Sequence, residues 1–182
     1  MVMRFLRILG QLKRGERQPY YSAKGVPWCE HCKGAFMFIF NETQWPLEDA
    51  IKIVKGNGSA KIAVFEDPNC RFCQRYDRET LSKINNVTIY VFLVPFLSED
   101  SMVKACSIWN SVDRAKAFNA WMVEGVEPTA NPTERAEMLM KRNIDLMERV
   151  GIQSVPATFV ADGRGPFGGM HASSLMHKMI HL

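Results

Sequence analysis

Residues 61–73, which read KIAVFEDPNCRFC, place two cysteines directly after an apolar run. Lys61 to Phe65 has the pattern of a buried strand, and Asp67-Pro68-Asn69 ends it with turn-forming residues. Asn69 is predicted to cap a helix that begins at Cys70. The Cys-x-x-Cys pair therefore lies where a strand passes into a helix.

This position favours redox chemistry at the two cysteines. A helix N-terminus offers free N–H groups and a partial positive charge, which favour the thiolate of Cys70, and Arg71 adds a full charge beside it. Cys73, one turn later, is placed to attack a mixed disulfide and release the partner. Asp67 is either the proton acceptor or a cap and turn residue. A metal knuckle or a structural disulfide at Cys70 and Cys73 is the alternative, which the strand-to-helix placement disfavours.

The rest of the chain alternates between strand and helix patterns. From Ile62 onward the order is strand, helix, strand, helical block, strand, helix, which is typical of an α/β domain with a central sheet. Besides Lys61 to Phe65, strands are predicted at Ile51 to Val54, Val87 to Val94 and Ala157 to Ala161. A short helical turn is predicted at Pro46 to Ala50, directly before the first strand.

The helical block carries apolar residues at helical spacing, namely Met102, Cys106, Trp109, Val112, Phe118 and Met122. Ser111 is the predicted N-cap of its second helix. Asn131-Pro132-Thr133-Glu134 predicts a further helix, with the cap at Asn131 and proline at the first position. Gly151 should end that helix, and the last helix spans Ser173 to His181.

Length and charge exclude several classes of protein. The 182 residues favour one domain with a short extension. Lys and Arg exceed Asp and Glu by 23 to 19 without a long basic run, so we do not expect nucleic-acid binding. No apolar run has the length of a membrane-spanning helix. Arg4 and Arg7 interrupt the apolar start and leave no signal-peptide core, so the protein is cytoplasmic or the chain begins after its export signal.

Within the first 44 residues, Gln18 to Gly34 has turn chemistry and little periodicity. Residues 2 to 14 suit a basic amphipathic helix that packs on its own domain or, alternatively, lies on a membrane surface. Ala35 to Phe40 is a predicted strand. No strand precedes Cys29 and Cys32, which leaves a local disulfide, half of a metal site or an accessory redox pair as alternatives. Cys106 is the fifth cysteine and has no partner in the pattern.

Residues 61–73 resemble the active-site segment of bacterial DsbC/DsbG-type disulfide isomerases. Val155-Pro156-Ala157, a proline at a strand entrance, resembles their cis-proline loop. Glu99 to Val150 is similar to their helical insertion, and Trp45 to Gly58 to the segment that leads into their catalytic domain. The resemblance covers about residues 45 to 182.

The resemblance implies a thioredoxin-like catalytic domain at residues 45–182 with a helical insertion at about 99–150, preceded by an irregular extension at 1–44. It implies a periplasmic protein in which Cys70 attacks, Cys73 resolves, Pro156 is cis and Val155 presents backbone groups to the substrate. Protein substrates with disulfides or thiols, and a redox partner that reduces the pair, are the implied partners. No cofactor and no metal are predicted.

Three departures from the family bear on function. Residues 1–44 are too short and too different for the usual dimerisation domain, so we expect a monomer or weak homodimer that reduces better than it isomerises. Asn110 and Ala130 stand where the family has a second disulfide. Val155 stands where the isomerases often have threonine. We expect this difference to alter the redox poise of the cysteine pair. The alternative functions are a net dithiol oxidant, or a metal-binding or interaction module in which Cys29/Cys32 and Cys70/Cys73 share an ion.

Overall fold

The structure of the protein is a computed structural model, which describes residues 45–180. The helix predicted at 2–14, the strand predicted at 35–40 and the pair Cys29/Cys32 lie outside the described residues. Within residues 45–180 no helix is long and apolar enough to cross a membrane.

A four-stranded mixed sheet forms the centre of the domain. Its strands are β1 (Ile51–Lys55), β2 (Ala60–Glu66), β3 (Val87–Leu93) and β4 (Ala157–Val160), in the order β1-β3-β2-β4. β3 runs parallel to β2 and antiparallel to β1, and β4 runs antiparallel to β2. The parallel pair β2–β3 requires a crossover, which a helix supplies. The predicted α/β class and all four strands are thus confirmed within one or two residues.

Residues 45–180 contain five α-helices, and three of them lie between β3 and β4, where the helical insertion was predicted. A turn of π-helix at Ala120–Glu124 directly follows the α-helix that ends at Asn119. The helices are α1 (Arg71–Glu79), α2 (Glu99–Asn110), α3 (Arg114–Asn119), α4 (Glu134–Arg149) and α5 (Ala172–Ile180), with 3₁₀ turns at Leu47–Asp49 and Leu81–Lys83.

Alternation along the strands builds one core on each face of the sheet. Ile62 and Val64 of β2 join the larger cluster, which includes Cys73, whereas Ala63 and Phe65 join the other. Glu66, two residues after Val64, is in phase with the larger cluster and is also fully buried. Strand alternation therefore carries a carboxyl group into the side of the sheet that α1 covers.

Three predicted helix caps are wrong by one to two residues. Cys70, rather than Asn69, caps α1; Asp113, rather than Ser111, caps α3; and Thr133, rather than Asn131, caps α4. In each case the capping atom accepts the N–H three residues later, which local sequence preference alone does not locate. Gly151 ends α4 with φ of 74°, as predicted.

One residue of the predicted apolar stripe is placed differently. Val112 is fully exposed, while Cys106, Trp109, Phe118 and Met122 are buried. The chain leaves α2 at Ser111 and turns before α3, so Val112 belongs to neither helix and the helical period does not continue through it.

Candidate active site

Cys70 is the N-cap of α1, at the point where the segment after β2 enters the helix. Its Sγ accepts the backbone N–H of Cys73 at 3.3 Å, and it is only 7% exposed. Asn69 instead turns its side-chain amide to Asp100 Oδ2 at 2.7 Å. A sulfur atom thus occupies the position where the free N–H groups of a helix converge, which is where an anion is best stabilised.

Hydrogen bonds lower the pKa of Cys70 to about 6. The largest contribution is the bond from the Cys73 side chain, and the backbone N–H groups of Cys73 and Phe72 add to it, against burial and the charge of Asp67. The hydrogen bonds around Cys70 thus agree with the predicted direction of its pKa. Arg71 is exposed, and its charge has no resolved part in the shift. Hydrogen bonding to the charged form favours the Cys70 thiolate, which is the nucleophilic form of a cysteine.

Cys73 has the opposite environment. Its side chain is fully buried, and burial followed by the bond it gives to Cys70 raises its pKa far above the ordinary value. Both cysteines are free thiols in this structure. The pKa values of the two thiols are therefore shifted in opposite directions, down at Cys70 and up at Cys73.

The loop before β4 completes the redox centre. The Val155–Pro156 peptide bond is cis, as the resemblance implied. The carbonyl oxygen of Val155 lies 3.8 Å from the Cys70 Sγ, which donates to it in the thiol form. Residues 85 positions apart in the sequence therefore meet at the reactive sulfur.

Asp67 is buried and accepts four hydrogen bonds. Its Oδ1 accepts the N–H of Asn69 and the hydroxyl of Ser101, each at 2.8 Å. Its Oδ2 accepts the backbone N–H groups of Phe96 and Leu97, at 2.9 and 3.0 Å. This carboxylate ties the segment before Cys70 to the loop between β3 and α2. The geometry favours the turn and cap alternative over a role in proton transfer.

We expect Asp67→Asn to lower the free energy of unfolding by about 2 kcal/mol, because an NH₂ group would face N–H donors where a charged acceptor stood. Urea denaturation of the variant and the parent chain measures the loss. Asp162→Asn is the control, since that carboxylate accepts from its near neighbour Arg164 in a surface turn. Equal stability of Asp67→Asn and the parent would contradict this role.

The helical insertion also holds the segment before Cys70. The carbonyl oxygen of Pro68 accepts the indole N–H of Trp121 at 2.7 Å and the side-chain amide of Gln74 at 2.9 Å. Lys104 lies 4.7 Å from the Trp121 ring centroid and pairs with Asp100. The insertion therefore fixes the backbone on which the reactive cysteine stands.

Two buried carboxyl groups near the cysteines were not predicted from the sequence. Glu66 at the end of β2 and Asp77 in α1 are 0% and 5% exposed. The available signal was spacing: Glu66 continues the inward alternation of Ile62 and Val64, and Asp77 follows Cys73 by four residues, one helical turn. The pattern alone gave no reason to pair them.

A groove of about 400 Å³ opens beside the redox centre, between α1 and the loops around β4. Phe72, in the middle of the Cys-x-x-Cys pair, is 72% exposed at its edge. Gly169 lines the groove, and a Cβ there would make ordinary van der Waals contact with Pro156 at 3.6 Å. The lining also includes Tyr76, Val155, Pro156 and Met170.

The remaining residues that the sequence analysis singled out are Cys106, Asn110 and the pair Cys29/Cys32. Cys106 is buried with its pKa raised to about 11, and its thiol donates to the sulfur of Met102, so it is a core residue. Asn110, at the position of the absent disulfide, donates its amide to the carbonyl of Asn131 at 2.7 Å. The alternatives for Cys29 and Cys32 stay predictions, because both lie outside the described residues.

The family is established by comparison with known proteins. The model of the thioredoxin-like domain family matches residues 47–180. The chain belongs to this family. Its relatives include disulfide interchange proteins: the probable thiol:disulfide interchange protein DsbC of Bordetella parapertussis is 39% identical over 134 residues, which cover 74% of this chain and 47% of that protein.

Two further comparisons agree with the assignment of this chain to the thioredoxin-like domain family. A disulfide interchange protein of Neisseria gonorrhoeae has a crystal structure similar to this one, with a TM-score of 0.67 and 33% identity over 74% of this chain and 98% of that chain. The thiol:disulfide interchange protein DsbG of Pseudomonas aeruginosa is 25% identical over 65% of this chain and 50% of that protein. This chain spans about half the length of the curated relatives it matches.

Proposed function

We propose that this chain is a thiol–disulfide oxidoreductase that acts on protein disulfides, as an isomerase or reductase. The observation that carries the proposal is the pairing of Cys70, with its pKa lowered to about 6, and a buried, protonated Cys73 at one helix N-terminus. Residues 45–182 are the proposed catalytic domain, and residues 1–44 an extension to it.

The reaction proceeds in two exchange steps. The Cys70 thiolate attacks one sulfur of a substrate disulfide, forms a mixed disulfide and expels the other substrate sulfur as a thiolate. Cys73 then loses its proton and attacks the Cys70 sulfur, which forms the Cys70–Cys73 disulfide and expels the second substrate thiolate. The substrate gains two electrons and the cysteine pair loses two. A reducing partner restores the pair.

The groove beside Cys70 suits a polypeptide substrate. Val155 already directs its carbonyl to the Cys70 sulfur, and Phe72 and Met170 are apolar residues that line the groove. An extended chain segment that carries the target disulfide would lie along Val155 and place its neighbouring side chain in this groove. A small-molecule disulfide would use less of this surface.

The lowered pKa of Cys70 bears on the redox poise of the pair. A more stable thiolate stabilises the reduced pair and makes the disulfide more oxidising. We therefore expect the Cys70–Cys73 disulfide to be more oxidising than one whose attacking cysteine has the ordinary pKa.

Equilibration with glutathione buffers, run beside reactivation of a scrambled disulfide substrate, tests the function. We expect measurable isomerase and stronger reductase activity. A potential near −120 mV without isomerase activity would support the net oxidant instead. Absence of any exchange would remove the proposed function.

We further propose a periplasmic location, on the resemblance to DsbC and DsbG, with the cytoplasm as the alternative.

A monomer or weak homodimer is the proposed assembly. Light scattering of the full chain over a concentration series tests the assembly: the expected mass is that of one chain, rising only at high concentration. A dimer that persists at the lowest concentration would contradict it.

A further inference from the structure

The π turn at Ala120–Glu124 contacts the chain around α1 at two places. The indole N–H of Trp121 donates to the carbonyl of Pro68, before α1, at 2.7 Å. The carbonyl of Met122 accepts a hydrogen bond from Arg78 Nη1, in the last turn of α1, at 3.2 Å. Single π turns within helices are rare and are frequently found at functional sites. This one bonds to the chain on both sides of the redox pair.

Trp121 contacts the chain at a tight turn. Residues 67–70 form a β-turn, which the N–H of Cys70 closes by donating to the Asp67 carbonyl at 3.0 Å. The carbonyl of Pro68 belongs to the peptide group in the middle of this turn. That peptide group faces one direction in a type I turn and the opposite direction in a type II turn. Proline suits both types, and the asparagine after it tolerates both, so the local sequence leaves the direction open.

Two side-chain donors fix the direction of this peptide group. The Pro68 carbonyl accepts the indole N–H of Trp121 and, at 2.9 Å, the side-chain amide of Gln74. Asn69 does not have the positive φ that a type II turn needs. Gln74 belongs to α1 and moves with it, whereas Trp121 belongs to the helical insertion. Trp121 therefore ties the turn to a separate part of the domain.

A charged network holds the indole in its place. Lys104 Nζ lies 4.7 Å from the ring centroid of Trp121, within the range of a cation–π interaction. The same ammonium group pairs with Asp100 at 2.6 Å and with Glu127 at 3.5 Å. Asp100 Oδ2 also accepts the side-chain amide of Asn69 at 2.7 Å. Both central residues of the turn are thus bound to one network on the insertion.

We propose that Trp121 is a positioning residue for thiol exchange at Cys70, an assignment that rests on the proposed function. It holds the Pro68 carbonyl toward the insertion and thereby sets the direction from which the chain enters α1. That direction places the Cys70 sulfur 3.3 Å from the N–H of Cys73. Without the indole donor, the central peptide group would rotate between its two directions. The sulfur would then spend less time at the helix N-terminus, where a thiolate is stabilised.

The change from thiol to thiolate at Cys70 reports this positioning. It is measured by iodoacetamide alkylation and by thiolate absorbance over a pH series, on reduced full-length protein in a Cys29→Ser/Cys32→Ser background. The other titratable groups that face Cys70 stay the same in every variant, namely Glu66, Asp67 and Cys73. A shift of the midpoint therefore reports the geometry around the sulfur.

Two substitutions separate the hydrogen bond of Trp121 from its packing. Trp121→Phe keeps an aromatic ring and removes the donor, whereas Trp121→Gln removes the ring and keeps an N–H donor the same number of bonds from the backbone. We expect Trp121→Phe to raise the midpoint by about one pH unit, comparable to the net contribution of one hydrogen bond. Trp121→Gln should raise it less.

Stability should rank the two variants in the opposite order. Urea denaturation is expected to show a larger loss for Trp121→Gln, because glutamine buries less apolar surface than phenylalanine. Trp109→Phe is the matched control, since that ring packs on Arg114, 3.8 Å away, and the midpoint should stay where it is in the parent protein. Opposite rankings of midpoint and stability distinguish positioning from a general loss of structure.

Equal midpoints for Trp121→Phe and the parent protein would overturn the proposal, as would a larger shift in Trp121→Gln than in Trp121→Phe. Hydrogen exchange of the indole N–H groups in ¹⁵N-labelled parent protein tests the bond without a substitution. The Trp121 N–H should exchange slowly, and exchange as fast as in free tryptophan would also overturn the proposal. Failure of the parent protein to exchange thiols with oxidised glutathione would instead remove the proposed function.

Discussion

Cys73→Ala should accumulate a mixed disulfide through Cys70, whereas Cys70→Ala should lose nearly all exchange activity. Cys70 combines a lowered pKa with a place beside the groove and the Val155 carbonyl. Cys73 is fully buried, so we expect it to react only with a sulfur already attached to Cys70. Without Cys73, no thiol among residues 45–180 is placed to release the mixed disulfide, because Cys106 is buried in the core.

Non-reducing electrophoresis followed by peptide mass spectrometry measures the trapped species and the cysteine that carries it. Cys106→Ala is the control, because that thiol is buried in the core and should leave trapping unchanged. A partner trapped on Cys29 or Cys32 would show that the wrong pair has been assigned.

Alkylation of Cys70 by iodoacetamide should fall about a hundredfold between about pH 7 and pH 4. Only the thiolate reacts, and below its pKa of about 6 the thiolate fraction drops roughly tenfold for each pH unit. Above about pH 7 the rate should level off, because Cys70 is then almost entirely ionised. Thiolate ultraviolet absorbance, in a Cys29→Ser/Cys32→Ser background, reports the same transition independently.

A pair of substitutions at Cys73 tests the cause of this low pKa. The Cys73 side chain makes the largest contribution through its hydrogen bond to Cys70. Cys73→Ala removes that donor and should move the transition to higher pH, while Cys73→Ser keeps a donor and should move it less. A transition near the ordinary cysteine value of about 8.5 in the parent protein would contradict the geometry.

The features of this protein that depend on neighbouring residues could be predicted from sequence patterns. The apolar run 61–65, the turn after it and the Cys-x-x-Cys spacing placed the redox pair at a strand-to-helix junction. Gly151 ended its helix as predicted because a left-handed residue at a helix end is a local requirement, with φ of 74° here. The α/β alternation followed from the same short-range patterns.

The groups that surround those cysteines come from distant parts of the chain and meet only in the folded domain. The donors to Asp67 come from residues 96, 97 and 101, and the Val155 carbonyl comes from 85 residues away. The burial of Glu66 and Asp77 also depends on the fold rather than on local sequence. Hydrogen bonds and buried charges act over a few ångströms of space rather than along the chain, so sequence patterns located the cysteine pair but not the environment that sets its pKa values.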